Sequence, residues 1–435
     1  MGSFAISGLA SGIDTTSLIS QLMAVAAAPQ NALKSQLATE QRVVSAYQAI
    51  NSKLTAFQAA ADAVNSASTW GATKASSSNP AVIATTTSTA VAGSGVTFDV
   101  TQLATAQVST LAVPSGGTVV STPANGLDLT DNAGAVHHIN LTDGSASGVA
   151  AAVNSAGLGV RAAVVNTDGG QVLQFTASAT GVAGSFSIAG LDTAPSTLVT
   201  AQDARIAVGN PSAGGYTVSS STNTFNNVVP GVTFTVGAVA SGVTVSVGSD
   251  SSAIGDKVKA MVDAANSLLG ELNADTGKGA VLEGNYQLNA LTQKVLSSIS
   301  HGDASGKSFA GLGVQLTSTG TLAFDATAFA ASYASDPAGI QTKASGLANS
   351  LSSLALNAST QTVAPLINSG NAQVSNLNKE ISDWDTRLAD QQTALQAKYT
   401  AMEVALQKLQ STSSWLTQAL NSATGSSSSS SSKSS

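Results

Sequence analysis

Apolar residues recur at intervals of three, four and seven near both ends of the chain. In the first part they occupy Leu33, Leu37, Val44, Tyr47, Leu54, Phe57 and Val64. In the last part the spacing starts at Val374 and reaches Leu395, Tyr399, Met402, Leu406, Leu409, Leu416 and Leu420. Such heptad spacing is typical of helices that pack along one another. We therefore expect long helices with apolar seams at both ends of the chain.

A shorter helix is expected ahead of the first long one. Asp14 is a suitable N-cap for a helix that carries Leu18, Leu22 and Val25, and Pro29 should end or kink that helix. Residues 1–40 are thus predicted to be a flexible segment with one short helix. At the other end, the Ser-rich residues 423–435 offer too little apolar area to fold and are predicted to be disordered.

Between the two ends the hydrophobic pattern changes to a period of two. The runs "VTFDV" (96–100), "VTFTV" (232–236) and "VTVSV" (243–247) alternate in this way and are separated by Gly, Asn, Asp and Pro. Helical periodicity returns at "IGDKVKAMVDAANSLLGEL", which starts at Ile254. The predicted fold is α+β and multidomain, with terminal heptad helices that form a coiled-coil-like stalk and with inserted β-rich head domains.

These changes of pattern suggest where the domains begin and end. The flexible segment 1–40 is followed by a helical stalk domain made of residues 41–75 and 250–370. Residues 76–112 and 205–249 form a β-rich head domain, into which a second β-rich domain, residues 113–204, is inserted. The C-terminal heptad helix covers residues 371–422.

Composition and charge narrow the range of partners. The chain has 435 residues, of which only 9% are charged, and 17 basic against 24 acidic side chains give a net charge of −7. Because Lys and Arg are not concentrated anywhere, binding to nucleic acid or to an anionic membrane surface is not expected. The apolar stretch 18–28 is too short and interrupted to span a bilayer, and no basic region of a secretory signal precedes it.

Candidate chemistry is sparse. The chain has no cysteine, which excludes thiol catalysis and Cys-based zinc sites. His137 and His138 would point to opposite faces of a strand, and we expect them in a solvated turn rather than on a metal. The segment "HGDASGKS" (301–308) has three instead of four residues between its glycines, and so does not match a phosphate-binding loop. We expect no enzyme activity, no cofactor and no metal.

Several motifs together carry a resemblance to a known family. The start "GLASGIDTTSLISQLMAVAAAP" (8–29), the strand entry "NTFNNVVPGVTFTV" (223–236) and the closing helix "MEVALQKLQSTSSWLTQAL" (402–420) occur in that order. The segment "VNSAGLGVRAAVVNTDGGQVLQFTASATG" (153–181) is similar to a hook-type motif of flagellar proteins. The chain as a whole resembles the flagellar filament-capping proteins, also called hook-associated protein 2 or FliD.

The resemblance implies a function and a set of partners. A protein of this kind would form a homo-oligomer at the tip of the bacterial flagellum, outside the cell, and would promote insertion of exported flagellin while preventing its loss. It would leave the cell by the flagellar type III route without a cleaved signal peptide. Its other partners would be a flagellar export chaperone and the hook-filament junction proteins.

The residues that would contact other subunits or flagellin are those on the helix seams. They are Leu18, Leu22, Val25, Leu33, Leu37, Leu395, Tyr399, Met402, Leu406, Leu409, Leu416 and Leu420. The alternatives are a surface adhesin and another axial protein of the flagellum. An adhesive fibre usually has one continuous coiled-coil stalk, whereas two separate seams here flank a β-rich region, and this favours the cap. Cell adhesion by the head domains stays open as a second property.

Overall fold

The computed structural model describes residues 12, 14–300 and 309–425. Residues 301–308, residues 1–11 and 13, and the residues after Gly425 lie outside the described part of the chain. The expectations for the phosphate-loop-like segment, for a flexible start and for a disordered tail are therefore not addressed there.

Nine α-helices occur in the described residues: α1 (Thr15–Ala26), α2 (Ala28–Asn65), α3 (Ala67–Trp70), α4 (Ala146–Ala156), α5 (Ser251–Thr276), α6 (Tyr286–Ser300), α7 (Ala326–Ser335), α8 (Pro337–Asn357) and α9 (Ala364–Gly425). A π-helix, Ala358–Val363, joins α8 to α9. Short 3-10 helices are formed by Pro123–Asn125, Val182–Gly184, Pro211–Ala213 and Phe309–Leu312.

The same part of the chain contains seventeen strands: β1 (Thr73–Ser77), β2 (Val82–Thr86), β3 (Gly95–Gln102), β4 (Val108–Ala112), β5 (Leu127–Asp131), β6 (Val136–Ile139), β7 (Val160–Thr167), β8 (Gly170–Ala177), β9 (Phe186–Ala189), β10 (Ser196–Val199), β11 (Ala204–Val208), β12 (Tyr216–Ser220), β13 (Thr224–Asn226), β14 (Val232–Val236), β15 (Ala240–Ser249), β16 (Val314–Leu316) and β17 (Leu322–Phe324).

The chain divides into two compact units, of which the first contains residues 1–65 and 257–435 and the second residues 66–256. In the first unit, the long helix α2 packs against α8, the π-helix and α9. Its buried side chains include Ile50, Leu54 and Phe57, which are fully excluded from solvent. The expected packing of the N-terminal and C-terminal long helices is therefore present within one chain.

The second unit is built around two separate cores. One consists of the five-stranded sheet β1-β15-β3-β11-β12 and the three-stranded sheet β13-β14-β2, with Phe98, Phe225 and Phe234 buried among valines. The other combines the sheets β10-β4-β8-β7 and β6-β5-β9 with α4, and it buries Leu173 and Phe175. Buried Gln107 cross-links this second core, since its amide Nε2 donates to the carbonyl of Phe186 at 2.7 Å and its Oε1 accepts from the N–H of the same residue at 3.0 Å.

The strand entry before β14 includes a close backbone approach at Gly231. Gly231 precedes β14 with a φ of +73°, and a Cβ there would clash with the backbone nitrogen of Ala90. Only glycine fits this close approach without a backbone shift. Phe234 of β14 is fully buried, as the alternation within "VTFTV" indicates.

Candidate assembly surface

Polar contacts fix how α2 and the α8–α9 helix run past each other. Near the start of α2, the amide of Gln30 donates to the carbonyl of Ile381 at 3.4 Å, and farther along, the hydroxyl of Ser359 donates to Asn51 at 2.6 Å. At its end, Asn65 donates to Asn349 at 2.8 Å. Along α2 the residue numbers increase while those of the contacted residues in α8, the π-helix and α9 decrease. The helices are therefore antiparallel.

A close helix contact lies in the middle of this pair. At Gly370 of α9, a Cβ would meet the Cγ2 of Val44 at 2.5 Å. A glycine at this point lets the two helix backbones approach closely, because it has no side chain to keep them apart. The antiparallel register leaves α1 opposite a part of α9 beyond Asp385.

The short helix α1 packs on α9 through one of its faces. Asp14 caps it, since its carboxylate accepts a hydrogen bond from the N–H of Ser17 at 3.0 Å. Thr15 and Ile19 are buried, and Met23 is half-buried. Helix α1 ends at Ala26 because Pro29 has no N–H to continue the hydrogen-bond ladder.

The seam residues singled out from the sequence fall into two groups. Leu18, Leu33, Leu37, Leu395, Tyr399 and Leu406 are half-buried within the chain. The others are exposed, with exposed fractions of 41% for Leu22, 75% for Val25, 37% for Met402, 66% for Leu409, 58% for Leu416 and 64% for Leu420. The last turns of α9 therefore present an apolar stripe for which the described residues supply no cover.

One further residue, Ile19, belongs to this surface and was not identified from the heptad pattern. Ile19 is the residue of α1 that is most deeply buried among its large apolar side chains, at 8% exposed. It follows Thr15 and precedes Met23 at steps of four, a spacing that could have revealed this face. Val404 and Trp415 are 57% and 67% exposed on α9, but they lie about 100° or more around the helix from Leu409 and Leu416 and so belong to a different face.

One acidic residue, Glu403, lies beside the seam. Glu403 is 5% exposed although it lies between the exposed Met402 and Val404. A buried carboxylate is stable only when it has polar partners, so this position is one of specific contact rather than of simple apolar packing. Nearer the start of α9, the guanidinium carbon of Arg387 lies 5.6 Å from the ring centroid of Trp384 on the same helix.

The two adjacent histidines lie in a strand, and the expected solvated turn is wrong. His137 and His138 belong to β6 and pair with Leu129 and Asp128 of β5. Their rings contact separate carboxylates, with His138 Nδ1 2.7 Å from Asp128 and His137 Nε2 3.4 Å from Asp131. A hydrogen bond from the N–H of Ala135, above all, lowers the pKa of Asp131. Alternation along the strand keeps the two rings from sharing one metal ion.

Other features of the described residues offer little to a ligand. Within residues 12, 14–300 and 309–425, histidine and acidic side chains nowhere gather into a group of three that could hold a metal ion. An open groove of about 440 Å³ lies between α6 and α8, with Leu291 and Leu354 in its lining and Lys294 as its one charged residue. None of the helices in the described part of the chain has the length and apolar character needed to cross a membrane.

Comparison with known proteins shows which family the chain belongs to. The family model for the C-terminus of flagellar hook-associated protein 2 matches residues 201–411, and the model for its N-terminus matches residues 11–107. Flagellar hook-associated protein 2 of Escherichia coli strain K12 is 30% identical over 380 residues, which cover 78% of this chain and 80% of that protein. The protein of Escherichia coli O157:H7 matches to the same extent.

A solved structure agrees with the fold. The crystal structure of the flagellar cap protein FliD D1-D2-D3 domains from Escherichia coli covers 75% of this chain and 99% of its own, with a TM-score of 0.52 at 24% identity. The class is therefore that of non-enzymatic structural proteins of the flagellum. Within this class, the chain belongs to the flagellar hook-associated protein 2 family, the flagellar cap proteins called FliD. It is a filament-cap protein, located outside the cell at the tip of the filament.

Proposed function

We propose that the apolar stripe at the end of α9, together with the outer face of α1, is the surface through which this cap contacts further copies of itself and flagellin. The observation that carries the proposal is the exposure of Leu409, Leu416 and Leu420, each of which is 58% to 66% exposed on one helix. Large apolar side chains at heptad spacing on a soluble helix need a partner surface.

The chemistry of this surface fits repeated remodelling. A helix seam binds through apolar burial and needs no catalytic group, so subunits can separate and reform contacts as flagellin is inserted beneath the cap. The partners are other copies of the chain and flagellin. An export chaperone and the hook-filament junction proteins would meet it on its way through the flagellar type III route to the tip.

The domain division supports a separation between folding and assembly. We propose that residues 76–112 and 205–249 form one head domain and residues 113–204 a second one, a view supported by the two separate cores of the β-rich unit. Residues 41–75 and 250–370 would form the stalk, and residues 371–422 the C-terminal heptad helix. The compact units themselves meet in sequence after Asn65 and after Asp256. Adhesion by the head domains would be a separate property.

The double substitution Leu409→Asp with Leu416→Asp tests the assembly surface. Burying one such side chain contributes about 1.5 to 3 kcal/mol, so losing two should weaken self-association by about 100-fold or more. Sedimentation velocity over a range of protein concentrations measures this shift. Cells that make only this variant should release flagellin into the medium and carry short filaments.

The control places the same two charges at the same spacing on the side of the helix that lies opposite Leu409 and Leu416. Ser411→Asp with Gln418→Asp changes exposed polar positions seven residues apart, and it should leave association and filament length unchanged. Wild-type association and normal filaments from the Leu409 and Leu416 variant would refute the assembly role of this stripe. Normal association with short filaments would assign the stripe to flagellin rather than to other copies.

A further inference from the structure

Two segments of the chain connect the two head domains of the β-rich unit, each of which has its own core. These connecting segments, residues 102–108 and 199–204, pair as a narrow ribbon. The N–H of Thr105 donates to the carbonyl of Gln202 at 2.9 Å, and the N–H of Gln202 donates to the carbonyl of Thr105 at 3.3 Å. Domains that are joined by a small connection, without a shared apolar core, are expected to move relative to each other.

A further contact lies beside the ribbon, in the loop that follows β8 of the second head domain. The hydroxyl of Thr180 donates to the carbonyl of Ser221 at 2.8 Å, and Ser221 belongs to the turn between β12 and β13 of the first head domain. The N–H of Val182 donates to Oδ1 of Asp203 at 2.8 Å, at the point where the second connecting segment leads into β11. The loop therefore contacts the first head domain directly and through the ribbon.

Gly181 lies between these two residues and allows the loop to approach so closely. It is buried, and its N–H donates to the carbonyl of Thr105 at 3.1 Å. Its φ of +85° and ψ of 165° fall in a region that is essentially restricted to glycine. A Cβ there would clash with the carbonyl oxygen of Ser221. Gly181 is also the last residue of the segment 153–181 that is similar to a hook-type motif, so this contact gives a structural reason for the glycine at its end.

We propose that residues 180–182, the junction loop, hold the two head domains in one fixed orientation. A bend of the ribbon that turned the second domain away from the first would have to break the hydrogen bonds of all three residues. Identical copies that assemble with closed symmetry need the same surface geometry in every copy, and a fixed orientation of the domains provides it. The inference does not depend on the assembly stripe of α9, because it concerns the β-rich unit alone.

The alternative is that the junction loop only stabilises the fold of the second head domain. Removing its contacts would then speed amide exchange within that domain. If the loop positions the domains, removing its contacts widens the range of distances between them, while amide exchange in both cores stays unchanged. The two roles are therefore separated by two measurements on the same variant.

The absence of cysteine allows two spin labels to be attached at chosen sites of the full-length chain. Ala151→Cys on α4 and Thr217→Cys on β12 are exposed positions of the second and the first head domain, respectively. Double electron-electron resonance measures the distribution of distances between the two labels. Dilution with unlabelled chain restricts the measurement to distances within one copy.

Thr180→Val with Asp203→Ala removes a donor hydroxyl and an acceptor carboxylate from the junction. The matched control, Thr167→Val with Asp192→Ala, removes the same two kinds of group where they form hydrogen bonds within the second head domain. We expect a distance distribution at least about twice as wide as that of the wild type for the junction variant, as for domains that are free to move, and the wild-type width for the control. Thr180→Ser with Asp203→Asn keeps a hydroxyl and an acceptor oxygen, and it should also keep the wild-type width.

An unchanged width in the junction variant would overturn the proposal, and so would equal widening in the control. Hydrogen exchange of the amides of β8 and β14 reports on the two cores of the same variants. A wider distribution with unchanged exchange supports the positioning role. Faster exchange in β8 would assign the loop to the folding of the second head domain and would overturn the proposal.

Discussion

Phe234 lies at the centre of the aromatic cluster in the β-rich unit, and its truncation tests the packing of that unit. Its ring centroid is 4.8 Å from that of Phe98 and 5.5 Å from that of Phe225, and both pairs are stacked. All three side chains are at most 2% exposed. Replacing a buried Phe by Ala typically costs 3 to 5 kcal/mol, and stacked aromatic pairs account for about 0.5 to 1.5 kcal/mol each beyond their area. We expect Phe234→Ala to lower the free energy of unfolding by about 4 kcal/mol.

The position of the tryptophans allows this unit to be followed by itself. Trp70 is the one tryptophan in residues 66–256, whereas Trp384 and Trp415 belong to the helical unit. In a background of Trp384→Phe and Trp415→Phe, tryptophan fluorescence during urea titration therefore reports the β-rich unit. With a urea dependence of about 3 kcal/mol per molar for a unit of this size, the midpoint should fall by about 1.3 M.

Ile83→Ala is the control on the neighbouring strand. Ile83 belongs to β2 and lies opposite Thr235 of β14, yet its side chain is 69% exposed. Its truncation should change stability by less than about 0.5 kcal/mol, as surface substitutions usually do. If Phe234→Ala shifted the midpoint no more than Ile83→Ala, the assignment of Phe234 to the core would be refuted.

The heptad pattern predicts only those buried residues of α2 that face a single partner helix. The heptad positions Val44, Tyr47, Leu54, Phe57 and Val64 of α2 are all buried. Ile50 and Ala61 are buried as well, although the heptad pattern does not include them, because α2 packs against both α8 and α9. A heptad pattern assumes a single partner helix, so it underestimates the buried face of a helix with two partners.

The connection between α8 and α9 could not be predicted from standard helical spacing. Buried positions in α8 follow at steps of three and four up to Ala358, but the next buried residue, Val363, comes five residues later. The π-helix accounts for this step, since the N–H of Ala364 bonds to the carbonyl of Ser359 five residues before it. The wider turn absorbs one additional residue and keeps the buried face directed at α2.

The sequence names the seam residues of the candidate surface, but it does not show which of them are covered within the chain. Helix α1 is apolar on two faces, one with Ile19 and Met23 and one with Leu22 and Val25. The spacing within a single helix identifies both faces, whereas only the position of α9 decides which of them is covered. The turn at Gly231 depends on a local property of the backbone instead, because glycine alone adopts its positive φ without strain.

Two further substitutions probe single backbone and charge effects. Gly231→Ala should destabilise the β-rich unit by about 2 kcal/mol or more in the same urea titration, whereas Gly93→Ala, with a φ of +86° and open space around it, should lose only about 1 kcal/mol; equal losses would contradict the predicted clash with Ala90. Asp275→Asn should stabilise the helical unit at neutral pH. Burial, and then the nearby charge of Glu271, raises the pKa of Asp275, and its buried Oδ2 has no hydrogen-bond partner. Because the folded chain holds this proton more tightly than the unfolded chain, the carboxylate is unfavourable at pH 7, and that penalty disappears as the pH falls below the ordinary carboxyl range. Thermal unfolding should thus show a higher midpoint for Asp275→Asn at pH 7 and no difference at low pH, and an equal shift at all pH values would show that charge is not the cause.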